Sequence, residues 1–148
     1  MKLIAKQVNG KPLTVTVEYP ELNAETERLI KKIKSFDTVI PGSQNGEIFA
    51  LQISDIYYIE AVERKVFLYT KDSVYMTDKK LYELENQLSE TGILRISKSC
   101  LMNIDMLCSI KQLINSQLEA TLVNGEKLIV ARTYLKSIKN ILRREKPC

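Results

Sequence analysis

The sequence predicts a mainly β fold with flanking helices, α+β overall. Three observations predict it. Residues 47–77 are dense in tyrosine and β-branched side chains, which favour strands. An Asn-Gly pair at positions 124 and 125 separates two segments in which apolar and polar residues alternate, which is typical of a hairpin. Other segments have apolar residues at helical spacing. With 148 residues, 45% of them hydrophobic, the chain is about one domain long and can bury a core.

We expect two units along the chain. Residues 1–45 should form a strand-strand-helix extension, and residues 46–148 should form the main domain. The polar, turn-rich stretch at 41–46 contains proline, two glycines, serine and asparagine, and this composition marks the candidate boundary between them.

The N-terminal unit begins with two strand patterns. Residues 3–8 and 13–19 flank Asn9-Gly10, a turn signal, and the second segment alternates apolar and polar side chains as a half-buried strand does. Asn23 could then cap a helix that runs to about residue 35.

The main domain is predicted to be strand-rich with one internal helix and one C-terminal helix. Residues 98–103 connect two strands, and Asp78 could cap the internal helix. The predicted strands are 47–53, 56–62, 65–70, 74–77, 93–97, 106–114 and the hairpin of 118–122 with 128–130, and the helices are 79–88 and 133–144.

The C-terminal helix has two distinct faces. Its apolar stripe comprises Leu135, Ile138, Ile141 and Leu142, which we expect to pack on a sheet. Its basic row comprises Arg132, Lys136, Lys139 and Arg143, spaced to lie along one side of the helix. Such a row suits a polyanionic partner, and it would also suit a solvated surface.

Composition argues against catalysis and against membrane insertion. The chain has no histidine, which removes the commonest general base and metal ligand, and its acidic residues form no tight constellation. We therefore expect no enzyme activity and no cofactor. The apolar runs are too short to span a bilayer, and the N-terminus lacks the apolar core of a signal peptide. These features predict a cytoplasmic protein.

Two short strings, about thirty residues apart, carry a family resemblance. Residues 95–103 read Arg-Ile-Ser-Lys-Ser-Cys-Leu-Met-Asn, and residues 124–134 read Asn-Gly-Glu-Lys-Leu-Ile-Val-Ala-Arg-Thr-Tyr. In this order they resemble the LytTR-type DNA-binding domain of bacterial response regulators, and residues 56–69 are similar to its early strand pair. The resemblance covers about residues 46–143. It implies an elongated fold of short antiparallel sheets whose loops, rather than a recognition helix, enter the grooves of duplex DNA.

The resemblance also implies contact positions. They are Arg64 or Lys65 in a first loop, Ser97 and Lys98 in a second, and Arg132 in a third, with Lys136 added from the basic row. Arginine can grip a guanine edge or a phosphate with two bonds, whereas lysine suits phosphate.

Two positions depart from the family pattern. Ser97 stands where many members have histidine, and Ala131 replaces the usual serine before Arg132. Both changes put the base preference in doubt, but neither removes a positive charge.

Regulation and partners follow from the resemblance alone. It implies a sequence-specific transcription regulator that binds double-stranded DNA as a homodimer, with two protomers on repeated sites. Because only about 45 residues precede the domain, we expect no phosphorylated receiver. Members without one resemble regulators inhibited by a small membrane protein encoded beside them. The N-terminal unit could extend the sheet, or form a dimer or inhibitor surface.

Other interpretations stay open at this point. The protein could be a β-rich adaptor whose basic C-terminal helix binds an acidic partner. Arg132 could pair with Glu119 or Glu126, and Lys98 could simply be solvated. Arg95 and Asn103 favour structural roles. The tyrosines at strand spacing, which could stack on single-stranded bases, are more typical of sheet packing: Tyr57, Tyr58, Tyr69 and Tyr75.

Overall fold

The computed structural model describes residues 1–142, of which 141 and 142 are described by their backbone alone. Within these residues, ten strands and three α-helices follow one another. The helices are α1 (Ala24–Asp37), α2 (Leu81–Gln87) and α3 (Leu135–Leu142). The strands are β1 (Val39–Gln44), β2 (Glu47–Gln52), β3 (Tyr58–Val62), β4 (Lys65–Tyr69), β5 (Val74–Thr77), β6 (Ile93–Ser97), β7 (Cys100–Asn103), β8 (Leu107–Gln112), β9 (Leu118–Leu122) and β10 (Lys127–Val130).

The strands form two antiparallel sheets. Seven strands pair in the order β2-β1-β5-β4-β3-β7-β6, and three pair in the order β10-β9-β8. This confirms the predicted mainly β fold with short antiparallel sheets.

One core cluster lies between the two sheets and α3. Leu118, Ala120, Leu122 and Val130 from the smaller sheet are almost fully buried against Met102 of the larger one. Ile138 of α3 is fully buried in the same cluster and Leu135 packs against it, so these two residues of the apolar stripe pack as predicted. The side chains of Ile141 and Leu142 lie outside the described part of the chain. Burying an aliphatic side chain of this size contributes roughly 1.5–3 kcal/mol.

A second cluster lies between the seven-stranded sheet and α2. Leu84 and Leu88 are fully buried against Ile59, Leu68 and Leu101. Lys80, not Asp78, occupies the N-cap position of α2 and makes no side-chain cap bond. Asp78 lies three residues before the helix, so its prediction as the cap is wrong.

The two predicted N-terminal strands are absent from the structure. Gly10 takes a positive φ of 77° in the predicted turn, but no residue before Ala24 is in a strand. Leu13 is 92% exposed. An alternating pattern yields a strand only where a neighbouring strand accepts its hydrogen bonds, and none lies beside this segment. The N-terminal helix is present: Asn23 caps α1, its side chain accepting from Thr26 N at 2.9 Å.

Strand β1 occupies most of the stretch that the sequence marked as a boundary. It pairs with β2 along its length, with Pro41 opposite Ala50, and meets β5 at Ser43. The boundary predicted between residues 45 and 46 therefore falls at the tip of this hairpin. A Cβ on Gly42 would come within 2.7 Å of the Leu51 side chain, so the glycine serves close packing.

Strand β7 was predicted as a connecting segment. All four of its residues are buried, because it lies inside the sheet between β3 and β6. A strand that is buried on both faces has no alternation of apolar and polar residues, so this alternation could not reveal β7 in the sequence.

None of the described helices is long and apolar enough to cross a membrane. Within residues 1–142, no three cysteine or acidic side chains are grouped closely enough to hold a metal ion.

Candidate nucleic-acid interface

The first candidate loop is the tight turn between β3 and β4. Val62 pairs with Lys65, so Glu63 and Arg64 alone form the loop, with φ of 50° and 70°. Two consecutive left-handed residues define the type I′ turn that matches strand twist, which asparagine and glycine adopt most easily. Arg64 and Lys65 are both exposed. The hairpin therefore presents charged side chains at its outermost point.

The second candidate loop joins β6 to β7. Ser97 pairs with Cys100, which leaves Lys98 and Ser99 at the tip, and the register shifts between Arg95 and Ser97. Lys98 and Ser99 are exposed, whereas Ser97 is half-buried. The Ser97 hydroxyl accepts a hydrogen bond from Ser99 N at 3.3 Å. Ser97 thus shapes the turn, and Ser99 is an exposed hydroxyl that the sequence analysis did not select.

The third candidate segment follows β10. Arg132 begins a short 3-10 turn, Arg132–Tyr134, that leads directly into α3, and its side chain is exposed. Ala131, just before it, donates its backbone N–H to the Ile96 carbonyl oxygen at 2.8 Å. Because β6 is an edge strand, its outer carbonyls are free to accept such a bond.

These three segments lie side by side at one end of the seven-stranded sheet. β3 and β7 are antiparallel neighbours, and Ala61 N donates to Ser99 O at 2.8 Å, so the first two turns adjoin. The bond from Ala131 to Ile96 brings the third segment to the second. The backbone thus joins segments that are far apart in sequence.

The cations at these segments have no acidic partner within the described part of the chain: Arg64, Lys65, Lys98, Arg132 and Lys136. Glu119 was an alternative partner for Arg132, but its Oε1 instead lies 3.6 Å from Nζ of Lys127. Glu126 lies beside Tyr58. Exposed, unpaired cations at one end of the molecule create a positive potential there. Lys139 of α3 is also exposed, and Arg143 lies outside the described residues.

Arg95 supports the second loop from within the protein. Its Nη1 donates to the Lys98 carbonyl oxygen at 2.7 Å and to that of Ser97 at 3.2 Å. Its Nε donates to Glu85 of α2 at 3.0 Å. Arg95 has the structural role that was predicted, but no sequence pattern indicated Glu85, Ser97 and Lys98 as its partners.

Asn103 is also structural, as predicted. It is buried and its Nδ2 donates to Ile56 O at 2.8 Å, while its Oδ1 accepts from Asp105 N at 3.1 Å. It therefore fixes the turns at the opposite end of the sheet by satisfying buried backbone groups.

The four tyrosines that the sequence offered for base stacking instead make contacts within the protein. The rings of Tyr58 and Tyr69 stack on each other at 4.1 Å, and Tyr57 is buried. Tyr75 makes an edge contact with Phe49. Burial, followed by the nearby Glu126 carboxylate, raises the pKa of Tyr58 above its ordinary value. This packing argues against single-strand binding through stacked bases.

Comparison with known proteins identifies the family. A family model described as the LytTr DNA-binding domain matches residues 46–143. Sensory transduction protein LytT of Bacillus cereus is 33% identical over 96 residues, which are 65% of this chain and 39% of the relative. The chain therefore spans well under half the length of the LytT relatives.

A second group of relatives is of similar length to this chain. An uncharacterized HTH-type transcriptional regulator of Staphylococcus aureus is 30% identical over 132 residues, covering 86% of this chain and 88% of the relative. The described residues of this chain contain no helix-turn-helix, since strands separate α1, α2 and α3.

A solved structure shares the fold. It is the LytTr DNA-binding domain of a response regulator from Bacillus cereus, with a TM-score of 0.66 and 20% identity, and the match covers 72% of this chain and 97% of that domain. The family is one of DNA-binding regulator domains and not of enzymes. The chain belongs to the LytTr DNA-binding domain family.

Proposed function

We propose that this protein is a transcription regulator that reads duplex DNA in a sequence-specific way through the three adjoining segments. The observation that carries the proposal is the pair of backbone hydrogen bonds, from Ala61 to Ser99 and from Ala131 to Ile96, both 2.8 Å long. They connect the three segments at one end of the sheet, where the unpaired cations lie.

The spacing of the segments suits a double helix. Neighbouring strands lie about 4.8 Å apart, and the β3–β4 and β6–β7 hairpins are centred two strands apart in the order β4-β3-β7-β6. Their tips are therefore separated by about 10 Å. The major groove of B-DNA is about 12 Å wide, so adjacent tips can follow a groove and its flanking phosphates.

Each side chain has a proposed role set by its chemistry. Arg132 would hold a guanine edge through its planar fork. Three lysines would neutralise DNA phosphates: Lys65, Lys98 and Lys136. Arg64 would reach from the first turn toward the DNA backbone. Ser97 already accepts a bond from Ser99 N, so we assign it to turn geometry as well as to a hydroxyl contact.

Binding to duplexes that carry a candidate site tests the proposal. Fluorescence anisotropy would compare a duplex from upstream of the protein's own gene with a shuffled duplex. Arg132→Ala should weaken specific binding about 10- to 100-fold, since a good base contact is worth about 1–3 kcal/mol, and shuffled binding should fall much less. Arg132→Lys keeps the charge and should lose discrimination too.

The matched control is a lysine at the far end of the sheet. Lys71 is exposed and follows β4, which runs away from the candidate turns. Lys71→Ala should leave both affinities unchanged, whereas Lys98→Ala should lower them. Equal losses in all variants would indicate only a diffuse charge effect. Absence of discrimination, with retained binding to an acidic protein, would favour the adaptor alternative.

We also propose that two protomers bind repeated sites as a homodimer, through residues 1–22. Within the described residues this segment has no strand partner, yet it exposes apolar side chains, including Leu3 at 89% and Leu13 at 92%. Exposed apolar clusters mark interaction surfaces. The small membrane-protein inhibitor implied by the resemblance stays a prediction.

Deleting residues 1–20 tests the dimer surface and leaves every residue of α1 and β1 in the chain. Sedimentation velocity should show a dimer for the full chain and a monomer for the truncated one. The melting temperature extrapolated to low protein concentration should not change, because the segment contributes no sheet hydrogen bonds. An unchanged oligomeric state would refute this surface.

A further inference from the structure

Arg95 connects the second candidate loop to the interior of the protein. Its side chain is only 15% exposed, and its guanidinium contacts Glu85 on one side and the carbonyl oxygens of Ser97 and Lys98 on the other. The backbone at the exposed tip of the loop is therefore hydrogen-bonded to the largely buried guanidinium of Arg95.

The geometry of the guanidinium suits this task. A planar fork can donate several hydrogen bonds in fixed directions, which a lysine ammonium cannot do. The Lys98 carbonyl lies at the hairpin tip, beyond the last strand pair of Ser97 with Cys100, so the strand ladder gives it no donor. Arg95 supplies that donor at 2.7 Å.

Glu85, the acidic partner of Arg95, lies on a helix that is anchored in the core. Glu85 lies on α2, next to Leu84, which is fully buried in the core between α2 and the sheet. Arg95 therefore ties the loop to α2 on one face of the sheet. On the outer edge, the bond from Ala131 to Ile96 holds the same strand. The loop is restrained from two directions.

We propose that Arg95 is a positioning residue for DNA recognition, which fixes the backbone of Lys98 so that its ammonium meets the duplex at little entropic cost. The inference rests on the proposed function, since it takes Lys98 as a DNA contact. Because the Arg95 side chain is only 15% exposed and its Nε and Nη1 donate to Glu85 and to the loop carbonyls, we assign its effect to Lys98 rather than to a direct DNA contact.

The first measurement uses the DNA-free full-length protein. Amide hydrogen exchange by NMR at Ser97 and Ser99 should accelerate about tenfold or more in Arg95→Met, because the Ser97 and Lys98 carbonyl oxygens each lose a hydrogen bond from a charged group and the turn opens more often. Exchange in β9 should not change. Unaltered exchange at the loop would overturn the proposed restraint.

The second measurement is a double-mutant cycle on the specific duplex. Arg95→Met should weaken binding about tenfold in the wild-type background and less than about twofold when Lys98 is alanine, because residues acting through one another are not additive. Equal losses in both backgrounds would mean that Arg95 contacts DNA or supports the fold generally, and would overturn the inference.

Milder variants keep the test decisive if Arg95→Met unfolds. Glu85→Gln should loosen the loop in the same direction, and Arg95→Lys should restore only part of the affinity. The control is Glu90→Gln, which removes a carboxylate from the Lys34–Glu90 ion pair elsewhere on the surface and should change neither measurement. If loop exchange accelerates but Lys98→Ala binds DNA like the wild type, the restraint exists while the proposed contact, and with it the positioning role, is refuted.

Discussion

Ala131 donates its backbone N–H to the carbonyl oxygen of Ile96 at 2.8 Å. This bond attaches the segment that carries Arg132 to the edge strand that leads into Lys98. Ala131 has φ of −67°, a value that proline also adopts. The bond can therefore be removed with little change of backbone conformation.

Ala131→Pro should weaken specific DNA binding and lower the free energy of unfolding by about 1–3 kcal/mol, because the Ile96 carbonyl loses its donor. Isothermal denaturation and anisotropy measure the two effects. Ala131→Ser is the control: it keeps the N–H, restores the serine usual in the family, and should bind at least as tightly. Wild-type affinity in the proline variant would show that this bond does not position Arg132.

Lys98→Gln should reduce the salt dependence of DNA binding. Each phosphate contact contributes about 0.9 to the slope of log affinity against log salt concentration. The variant's slope should be shallower by about that amount on specific and shuffled duplexes alike, while Lys71→Gln leaves it unchanged. An unaltered slope would remove Lys98 from the set of phosphate contacts.

Glu63→Asn with Arg64→Gly should stabilise the protein and weaken its DNA binding. Both residues have left-handed φ, 50° and 70°, which costs an ordinary side chain about 1 kcal/mol or more. Thermal denaturation should show a higher melting temperature, because asparagine and glycine suit this turn. Higher stability with undiminished affinity would mean that the arginine side chain is not used for binding.

Cys100 should make stability fall at alkaline pH. Burial, then the nearby Glu60 carboxylate, raise the pKa of its thiol to about 12, against the opposing effect of Arg95. An unfolded cysteine ionises near pH 8.5. Since the unfolded chain loses this proton first, the free energy of unfolding should decline as pH rises above about 8.5 toward 12.

Denaturant titrations at pH 8 to 10 measure that decline, and Cys100→Ala should flatten it. At pH 8 the native thiol should also resist iodoacetamide, as mass spectrometry of its peptide would show. Rapid alkylation of the folded protein would contradict the protected state of Cys100.

The sequence predicted those elements whose pattern is local. The hairpin of β9 and β10 and strands β5 and β6 lie where alternation and the turn residues place them. The N-terminal helix begins after Asn23 as expected, because an asparagine side chain can accept from the first turn.

The errors arose where partners decide the structure. Residues 13–19 alternate as a strand does but find no neighbouring strand in the described chain. β1 contains Pro41 and Gly42, which resemble a linker, yet proline is tolerated where the only β5 partner is at Ser43, and glycine permits close approach of Leu51.

The candidate site could be predicted only in part. The contact residues were predicted from the order and spacing of the two family motifs. Lys98 and Arg132 are exposed in the structure, which agrees with that prediction. The contacts that join the segments are backbone hydrogen bonds between residues distant in sequence, such as Ala61 with Ser99. Backbone groups are common to all residues, so no side-chain pattern could indicate them.

The central claim is that three separate segments bind one duplex together. NMR chemical-shift perturbation on titration with the specific duplex tests it most directly. We expect the largest changes at the amides of Arg64, Lys98 and Arg132, with little change at Lys71 at the opposite end of the sheet. Perturbations confined to α3, or spread equally to Lys71, would contradict recognition through the three segments.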